Sequence, residues 1–255
     1  MNGNNLFINF NNHQEDSPFN DIRVRKAAAH AIDMDGIINS VLFGQGVPYA
    51  SVGEGTLGYD PDLEPYAYDP EKARQLLKEA GYPNGFDVTF YNLITPREPN
   101  IKEYGEAVAA YLTAAGIRCR IQGLEYVPWI KMGRRKDAPE LDGAISWMWG
   151  HGVVGDPGSP WGGHLHCYEP DAGWGSYSYW CDPEFDKLLE EQKRTMDPEK
   201  RETLLRKIGR MKHEQVAGGL TTYRPLVTFA WRDHVSYTPW PAGYFHELQE
   251  IGLKK

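Results

Sequence analysis

The sequence has little of what marks several large classes of protein. Its 255 residues include three cysteines, no basic run longer than Arg134-Arg135-Lys136, and no apolar stretch near the roughly 18 residues of a membrane span. The formal net charge of -8 disfavours nucleic acid and anionic membrane surfaces as partners. The first five residues are polar and lack the apolar region of an export signal. We therefore expect either a cytoplasmic protein or a piece of a longer exported one.

Residue patterns that bind metals or perform catalysis are also missing. The sequence has no CxxC or HExxH spacing, and no nucleophile stands at an informative distance from a histidine. The loop histidines of the central region are therefore predicted to be ordinary polar residues, and neither a metal nor a cofactor is expected. These histidines are His151, His164 and His166.

The three cysteines fall into two groups. Cys119 alternates with apolar residues in a predicted strand and is expected to be a core thiol. Cys167 and Cys181 flank a short segment and are either free or joined as a disulfide, depending on the redox compartment. The cysteines alone do not decide that compartment.

Strand-like and helix-like segments alternate along the chain. Asp-Pro-Glu sequences beginning at Asp69, Asp182 and Asp197 each supply a helix cap, a first-turn proline and an acid at the positive end of the helix dipole. Apolar residues at helical spacing follow each of them. Ala144–Trp149 is apolar apart from one serine and is the predicted central strand. This alternation predicts an α/β fold with a mixed or parallel sheet.

The segment after the central strand is the candidate ligand site. Residues 150–163 contain six glycines and two prolines, which predict an irregular loop, and five of the eight tryptophans lie between residues 147 and 180. Ligands of open α/β sheets bind beyond the carboxyl ends of the strands. The predicted ligand contacts are Trp149, His151, Asp156, Trp161 and Trp174.

Three of these predicted contacts have an alternative interpretation. Trp161 and Trp174, with Trp180, are either platforms that stack on a ligand or a hydrophobic lid packed on itself. Asp156 is either a pocket acid or a loop carboxylate that satisfies its own turn. A third possibility is a glycoside-hydrolase-like enzyme that uses Asp142 and Asp156 as a carboxylate pair.

Five motifs in collinear order resemble the extracellular solute-binding proteins of family 5, the peptide and nickel receptors of ABC importers. They are spread in order from residue 18 to residue 205, so the resemblance does not depend on any single motif. The motifs are PFNDIRVRKAAAHAIDMDGI (18–37), GQGVPYA (44–50), YDPEKARQLLKEAGYPNGF (68–86), LTAAGIRCRI (112–121) and YWCDPEFDKLLEEQKRTMDPEKRETLL (179–205).

The resemblance implies a periplasmic-binding-protein-like (type II) lobe, with a mixed sheet flanked by helices. Residues 1–225 would form the C-terminal ligand-binding lobe, and residues 226–255 a return segment toward an N-terminal lobe of the same parent chain. The implied role is periplasmic or extracellular capture of an oligopeptide or similar solute between the lobes and its delivery to the ABC permease subunits. The tryptophans make an oligosaccharide the alternative ligand. No enzymatic activity is implied.

One departure from the family pattern concerns the amine of a peptide ligand. Receptors of this family commonly carry a GW-x-x-D pattern after the central strand, and in some of them its Asp pairs with that amine. Here Trp149, Gly150 and His151 occupy the corresponding place, and the next acid is Asp156. This departure from the family pattern predicts that the ligand is recognised by apolar stacking and backbone hydrogen bonds more than by a fixed charge pair.

Overall fold

The computed structural model describes residues 6–12, 14–94, 100–128, 145–149, 155–167, 178–226, 232–237 and 252–253. Its centre is a six-stranded sheet. The strands are β1 (Leu6–Phe10), β2 (Gly46–Pro48), β3 (Phe86–Ile94), β4 (Ile117–Glu125), β5 (Ile145–Trp149) and β6 (Gly219–Pro225). Two further strands, β7 (Val235–Ser236) and β8 (Gly252–Leu253), pair with each other.

The main sheet is mixed, as the alternation of elements predicts. Its strand order is β2-β6-β1-β5-β3-β4. The strands β4, β3 and β5 run parallel, whereas β1 is antiparallel to both of its neighbours, β5 and β6, and β2 is antiparallel to β6. The first strand of the chain therefore lies in the middle of the sheet, between two strands from its second half.

Seven α-helices lie wholly within the described residues, and residues 126–128 are the described part of a further one. They are α1 (Ile22–Ala31), α2 (Met34–Ser40), α3 (Pro70–Glu79), α4 (Ile101–Ala115), α5 (Gly158–Leu165), α6 (Pro183–Arg194) and α7 (Pro198–Gln215). None of them is long and apolar enough to cross a lipid bilayer.

The three Asp-Pro-Glu sequences begin helices as predicted. The carboxylate of Asp69 accepts from the Lys72 N–H, that of Asp182 from the Glu184 and Phe185 N–H groups, and that of Asp197 from the Glu199 and Lys200 N–H groups. Each cap satisfies backbone donors that the first helical turn leaves without a partner. The starts of α3, α6 and α7 were therefore predictable from local chemistry.

The buried apolar residues form two clusters. The larger, here called the sheet core, joins the sheet to α1, α2, α3 and α4, and its fully buried members include Phe10, Phe19, Phe90, Tyr104 and Leu112. The smaller, here called the helix core, lies among α5, α6 and α7. The helix core consists of Val52, Trp161, Leu165, Trp180, Phe185, Leu188, Leu189, Leu205, Ile208 and Ala217.

The helix α5 corrects the prediction of an irregular loop over residues 150–163. Pro157 is the N-cap and Pro160 lies in the first turn, where a missing N–H breaks no helical hydrogen bond. The Trp161 N–H donates to the Pro157 carbonyl at 2.9 Å. Trp161 and Leu165 are both buried, one helical turn apart, so packing against α6 and α7 outweighs the helix-breaking tendency of the glycines. Residues 150–154 lie outside the described residues.

Two smaller expectations are also refined by the structure. The composition from Gly46 to Tyr68, rich in Gly, Pro and Tyr without a period, predicts an extended surface segment; the structure has the short strand β2 there and buries Tyr49 and Val52. The thiol of Cys119 is half-buried beside the sheet core, and burial raises its pKa to about 12. The sequence also predicts a short helix around Val127–Arg135, which lies mostly outside the described residues.

Candidate functional site

The carboxyl ends of the three parallel strands meet at one edge of the sheet, here called the carboxyl edge. It comprises Ile94 of β3, Glu125 of β4 and Trp149 of β5. The start of β1 lies at the same edge, because Leu6 is paired with Trp149 on one side and with Tyr223 of β6 on the other. Five strands thus contribute backbone to the place where ligands of α/β sheets bind.

Not all of the predicted ligand contacts lie at the carboxyl edge in the structure. Trp149 is the last residue of β5, so its backbone lies at the carboxyl edge as the sequence predicts. His151 and Trp174 lie outside the described residues. Their role as ligand contacts stays a prediction.

Trp161 lies in the helix core and not on an open surface. Its side chain is buried, and its ring tip approaches Gly209 of α7, where an added Cβ would stand 3.2 Å from it. Trp180 is buried in the same cluster, with its ring perpendicular to that of Phe185 at a centroid distance of 5.2 Å. For these two tryptophans the structure corresponds to the packing alternative, and the expectation that Trp161 stacks on a ligand is corrected accordingly.

Asp156 forms a partly buried ion pair that the sequence did not suggest. Its two carboxylate oxygens accept from the guanidinium of Arg201 at 2.7 and 3.0 Å, and one of them also accepts from the Gly158 N–H at 2.9 Å. Arg201 in turn donates to the amide oxygen of Gln192 at 2.9 Å. Burial raises the pKa of Asp156, but the hydrogen bonds and charge of Arg201 lower it by more, so the net pKa is below its ordinary value. The carboxylate is therefore ionised and neutralised within the protein.

This pairing bears on the glycoside-hydrolase alternative. A general acid needs a raised pKa to hold a proton near neutral pH, whereas the pKa of Asp156 is lowered. Asp142, the other member of the proposed carboxylate pair, lies outside the described residues. The lowered pKa therefore disfavours Asp156 as the general acid of such a pair, and its bonds to Arg201 are those of a structural ion pair.

Cys167 and Cys181 are joined by a disulfide in the structure, with an S–S distance of 2.09 Å. The bond connects the residue two positions after α5 to the N-cap region of α6. The Cys167 N–H also donates to both carboxylate oxygens of Asp186, at 3.0 Å each. Burial raises the pKa of Asp186, although the Cys167 N–H and the nearby His166 lower it in part. The disulfide and this hydrogen bond together hold α5 against α6.

His166 lies close to two acids of α6. Its ring nitrogens lie 3.4 Å from the Asp186 carboxylate and 3.6 Å from that of Glu190. Within the residues that the structure describes, however, no group of three or more His, Cys, Asp or Glu side chains is arranged to hold a metal ion. One of the ring nitrogens, Nδ1, also lies 2.9 Å from the Cys167 carbonyl oxygen.

Two residues near the carboxyl edge were missed by the sequence analysis. Tyr223 of β6 is buried, its ring centroid is 5.1 Å from that of Tyr104, and it packs so closely on Gly46 that a Cβ there would lie 2.9 Å from the ring. Arg224, paired in register with Val47, is a half-buried cation next to it. Glycine at position 46 could have indicated that a large side chain packs against the backbone there. The sequence does not show which one, because β6, which carries Tyr223, is about 180 residues away.

The comparisons with known proteins agree with this fold. The sequence family described as "Bacterial extracellular solute-binding proteins, family 5 Middle" matches residues 1–171. The chain is 29% identical over 232 residues to the dipeptide-binding protein of Escherichia coli (strain K12), a match that covers 90% of this chain and 42% of that protein. The chain therefore spans less than half the length of this relative.

Two solved structures resemble the chain over nearly its whole length. HbpA2 from Haemophilus parasuis superposes with a TM-score of 0.79 at 26% identity, covering 99% of this chain and 48% of that one. A dipeptide-binding protein from Pseudoalteromonas sp. SM9913, solved with Met-Leu, gives a TM-score of 0.80 at 24% identity, covering 98% and 48%. The mixed sheet and its flanking helices are those of type II periplasmic binding proteins. The chain belongs to the family 5 bacterial extracellular solute-binding proteins.

Proposed function

We propose that this chain is one lobe of a two-lobed receptor that captures a short peptide for an ABC importer in the periplasm or outside the cell. Residues 1–225 would form the ligand-binding lobe, and residues 226–255 the return segment toward a second lobe of the same parent protein. The observation that supports this proposal most is the carboxyl edge of this chain, where the ends of five strands lie together. The chain also belongs to a family of solute-binding proteins. Such an edge offers backbone groups from several strands to one ligand.

A peptide is the ligand that the relatives favour. The E. coli relative is named as a dipeptide-binding protein, and the Pseudoalteromonas structure was solved with Met-Leu. A peptide presents N–H and C=O groups that can pair with free backbone groups at strand ends, in addition to its side chains. An oligosaccharide would depend more on exposed aromatic rings, and Trp161 and Trp180 are buried in the helix core.

The ion pair of Asp156 limits how the ligand's amine is recognised. Its charge is balanced by Arg201, so a peptide amine would have to compete with a bidentate guanidinium. We therefore infer that recognition relies on backbone groups and apolar contacts at the carboxyl edge. Trp149, His151 and Trp174 remain the proposed contacts there, with Trp161 supporting this wall through the helix core.

Capture would proceed by closure of the two lobes. A ligand drives closure only through contacts that it makes in the closed state and not in the open state. This chain would supply one wall of the cleft, so by itself it would form part of those contacts and would leave the ligand exposed to water. The closed receptor would then dock on the permease subunits.

Calorimetry with the dipeptide Met-Leu tests the proposal. The parent protein should bind it saturably, and this chain alone should bind at least about 100-fold more weakly, because half of the contacts are missing. Mass spectrometry of the recovered peptide should find it uncleaved. Equal affinity of chain and parent would contradict the two-lobe proposal, binding of maltotriose without any peptide would support the oligosaccharide alternative, and cleavage would support an enzyme.

A further inference from the structure

The strands β2 and β6 form a two-stranded ribbon that extends past the carboxyl edge. Their pairing continues beyond Tyr223, the residue of β6 that pairs with Leu6 at that edge. The Leu226 N–H, three residues farther on, still donates to the Gln45 carbonyl at 3.1 Å. At about 3.3 Å per residue, the ribbon therefore reaches roughly 10 Å beyond the described end of β1.

One face of this ribbon carries exposed apolar side chains. Val47 and Leu226 share this face, because side chains two residues apart on a strand, or directly opposite on its partner, point to the same side. Val47 is 39% exposed and Leu226 is 46% exposed. Tyr223 lies on the other face and is buried in the sheet core. Adjacent exposed apolar side chains of this kind often mark a contact surface.

Phe43 adds a larger apolar side chain at the same end of the ribbon. It lies two residues before Gln45, the partner of Leu226, and is 74% exposed. Its φ of 52° lies in the left-handed region, which residues with a side chain rarely adopt. Exposure of the ring and backbone strain both cost free energy in this chain. A contact with another part of the parent protein would offset these costs.

Arg224 places a charge on the same face as Val47, its partner in the register. Its side chain is half-buried, and an added Cβ at Gly53 would stand 3.2 Å from its Nη1. Within the part of the chain that the structure describes, its guanidinium makes no hydrogen bond or ion pair. A carboxylate is the group that a guanidinium binds best, through two parallel hydrogen bonds.

We propose that the second lobe of the parent protein covers Phe43, Val47, Arg224 and Leu226, here called the ribbon patch. That lobe would supply apolar side chains for the patch and a carboxylate for Arg224. This inference rests on the proposed two-lobed receptor, and it names the surface of this chain on which the second lobe lies when no ligand is bound.

Two observations favour the second lobe as the occupant. The return segment proposed for residues 226–255 starts at Leu226, within the ribbon patch. The chain also covers only 42% of the E. coli relative and 48% of the Pseudoalteromonas structure, so more than half of such a receptor lies outside it. A small patch suffices for lobes of one chain, because the linker keeps their effective concentration high.

Hydroxyl-radical footprinting of the unliganded proteins, read by mass spectrometry, tests the proposal. Phe43 should be oxidised readily in this chain alone and at least about 5-fold more slowly in the parent protein, because an interface excludes water. Met196, which is 91% exposed between α6 and α7, is the control and should be oxidised equally in both. Equal oxidation of Phe43 in chain and parent would overturn the proposal. Protection of Phe43 in this chain alone at high concentration would also overturn it, because the occupant would then be a second copy.

The variant Phe43→Gly separates contact with the second lobe from a structural role in this one. Glycine adopts a positive φ without strain, so the melting temperature of this chain should stay the same or rise slightly. The melting temperature of the parent should instead fall by about 2 °C or more, because the contact of the ring is lost. Met196→Ala should leave both unchanged. A similar fall in both proteins would assign Phe43 to the stability of this lobe and would contradict the proposal.

Arg224→Gln gives a second readout that does not depend on Phe43. It should lower the melting temperature of the parent and not that of this chain, and the difference should shrink in high salt because ionic strength screens the charge pair. An equal effect on both proteins would remove Arg224 from the patch. None of these measurements uses a peptide, whereas calorimetry with Met-Leu tests capture, so either proposal can fail without the other.

Discussion

The sheet core and the helix core are built in different ways. The sheet core follows the periodicity of its own elements, with alternate residues of β3 and one face of α4 buried. The helix core instead depends on contacts between distant parts of the chain: Trp161 against Gly209, Asp156 with Arg201, and the disulfide Cys167–Cys181. The sheet core can be predicted from the hydrophobic periodicity of its strands and helices. The helix core is stable only when residues that are far apart in sequence are in contact, so the loss of one contact should weaken the others. The predictions below test whether the helix core fails as a unit while the sheet core persists.

The largest effect is expected from Trp161→Ala. Removing a buried indole leaves a cavity among α5, α6 and α7, and the free energy of unfolding should fall by about 3–5 kcal/mol in urea denaturation. Met196→Ala, at a side chain that is 91% exposed, is the control and should change it by less than about 0.5 kcal/mol. Hydrogen exchange should then accelerate in α5 and α6 well before β3. A loss below about 1 kcal/mol would mean that Trp161 is not a core residue.

Reduction of Cys167–Cys181 should have the next largest effect. The bond closes a loop of about 15 residues, so its loss should cost on the order of 3 kcal/mol by restoring freedom to the unfolded chain. The double variant Cys167→Ser/Cys181→Ser should show a lower melting temperature than the unmodified oxidised chain, and it should no longer respond to dithiothreitol. The single variant Cys119→Ser should retain the response to reductant, because Cys119 is not in the disulfide. An unchanged melting temperature on reduction would contradict this assignment.

The Asp156–Arg201 pair should contribute less. Asp156→Asn should lower the free energy of unfolding at pH 7 by about 1.5 kcal/mol, since it weakens charge-assisted hydrogen bonds in a partly exposed site. The pKa of Asp156 is lowered in the folded state, so this stabilisation is present above the pKa of the unfolded chain and is lost as the pH falls through the folded value. Unfolding at pH 7 and pH 3 should therefore show the two proteins converging in acid. Asp87→Asn, at an exposed pair with Arg118, should have a smaller effect.

The smallest effect concerns the junction of the two cores. His213 of α7 stacks on Tyr66 at a centroid distance of 4.4 Å, and Tyr66 meets His30 of α1 edge-on. Burial lowers the pKa of His213 to about 4, although its contact with the Ala50 carbonyl raises it in part. The folded state therefore prefers the neutral ring, and its stability should fall as the pH drops below the ordinary value near 6.5, by about 1 kcal/mol at pH 5.5.

Substitution of His213 measures this loss directly. In thermal unfolding, His213→Gln should show a shallower decrease of stability between pH 7 and pH 5 than the unmodified chain. The exposed His234 supplies the control, because His234→Gln should leave the slope unchanged. Identical slopes in all three proteins would remove His213 as the source of the acid sensitivity.

Local chemistry made much of the fold predictable. Asp69, Asp182 and Asp197 marked the starts of three helices, because a cap acts on backbone groups two or three residues away. The collinear family motifs then indicated the kind of lobe. The carboxyl edge followed from the order of strands and helices, since parallel strands place their carboxyl ends together.

The parts of the fold that could not be predicted are those held by contacts between residues far apart in sequence. The helix α5 has a composition that disfavours helices, and only partners on α6 and α7 stabilise it. Asp156 is 45 residues from Arg201, and Tyr66 is 147 residues from His213, so neither contact had a local signal. The buried amide of Gln192 appears in sequence as one polar residue near the end of an amphipathic helix, which is usually a solvated position.

The position of β1 in the sheet has a consequence for the order of synthesis. β1 is translated before both of its neighbours, β5 and β6, and β6 is complete only when residue 225 has been added. At about 5–20 residues per second, the last partner of β1 is translated on the order of 10–40 s after it. Such non-local pairing also slows folding itself. The six-stranded sheet of this chain therefore cannot be completed until its last fifth is being translated.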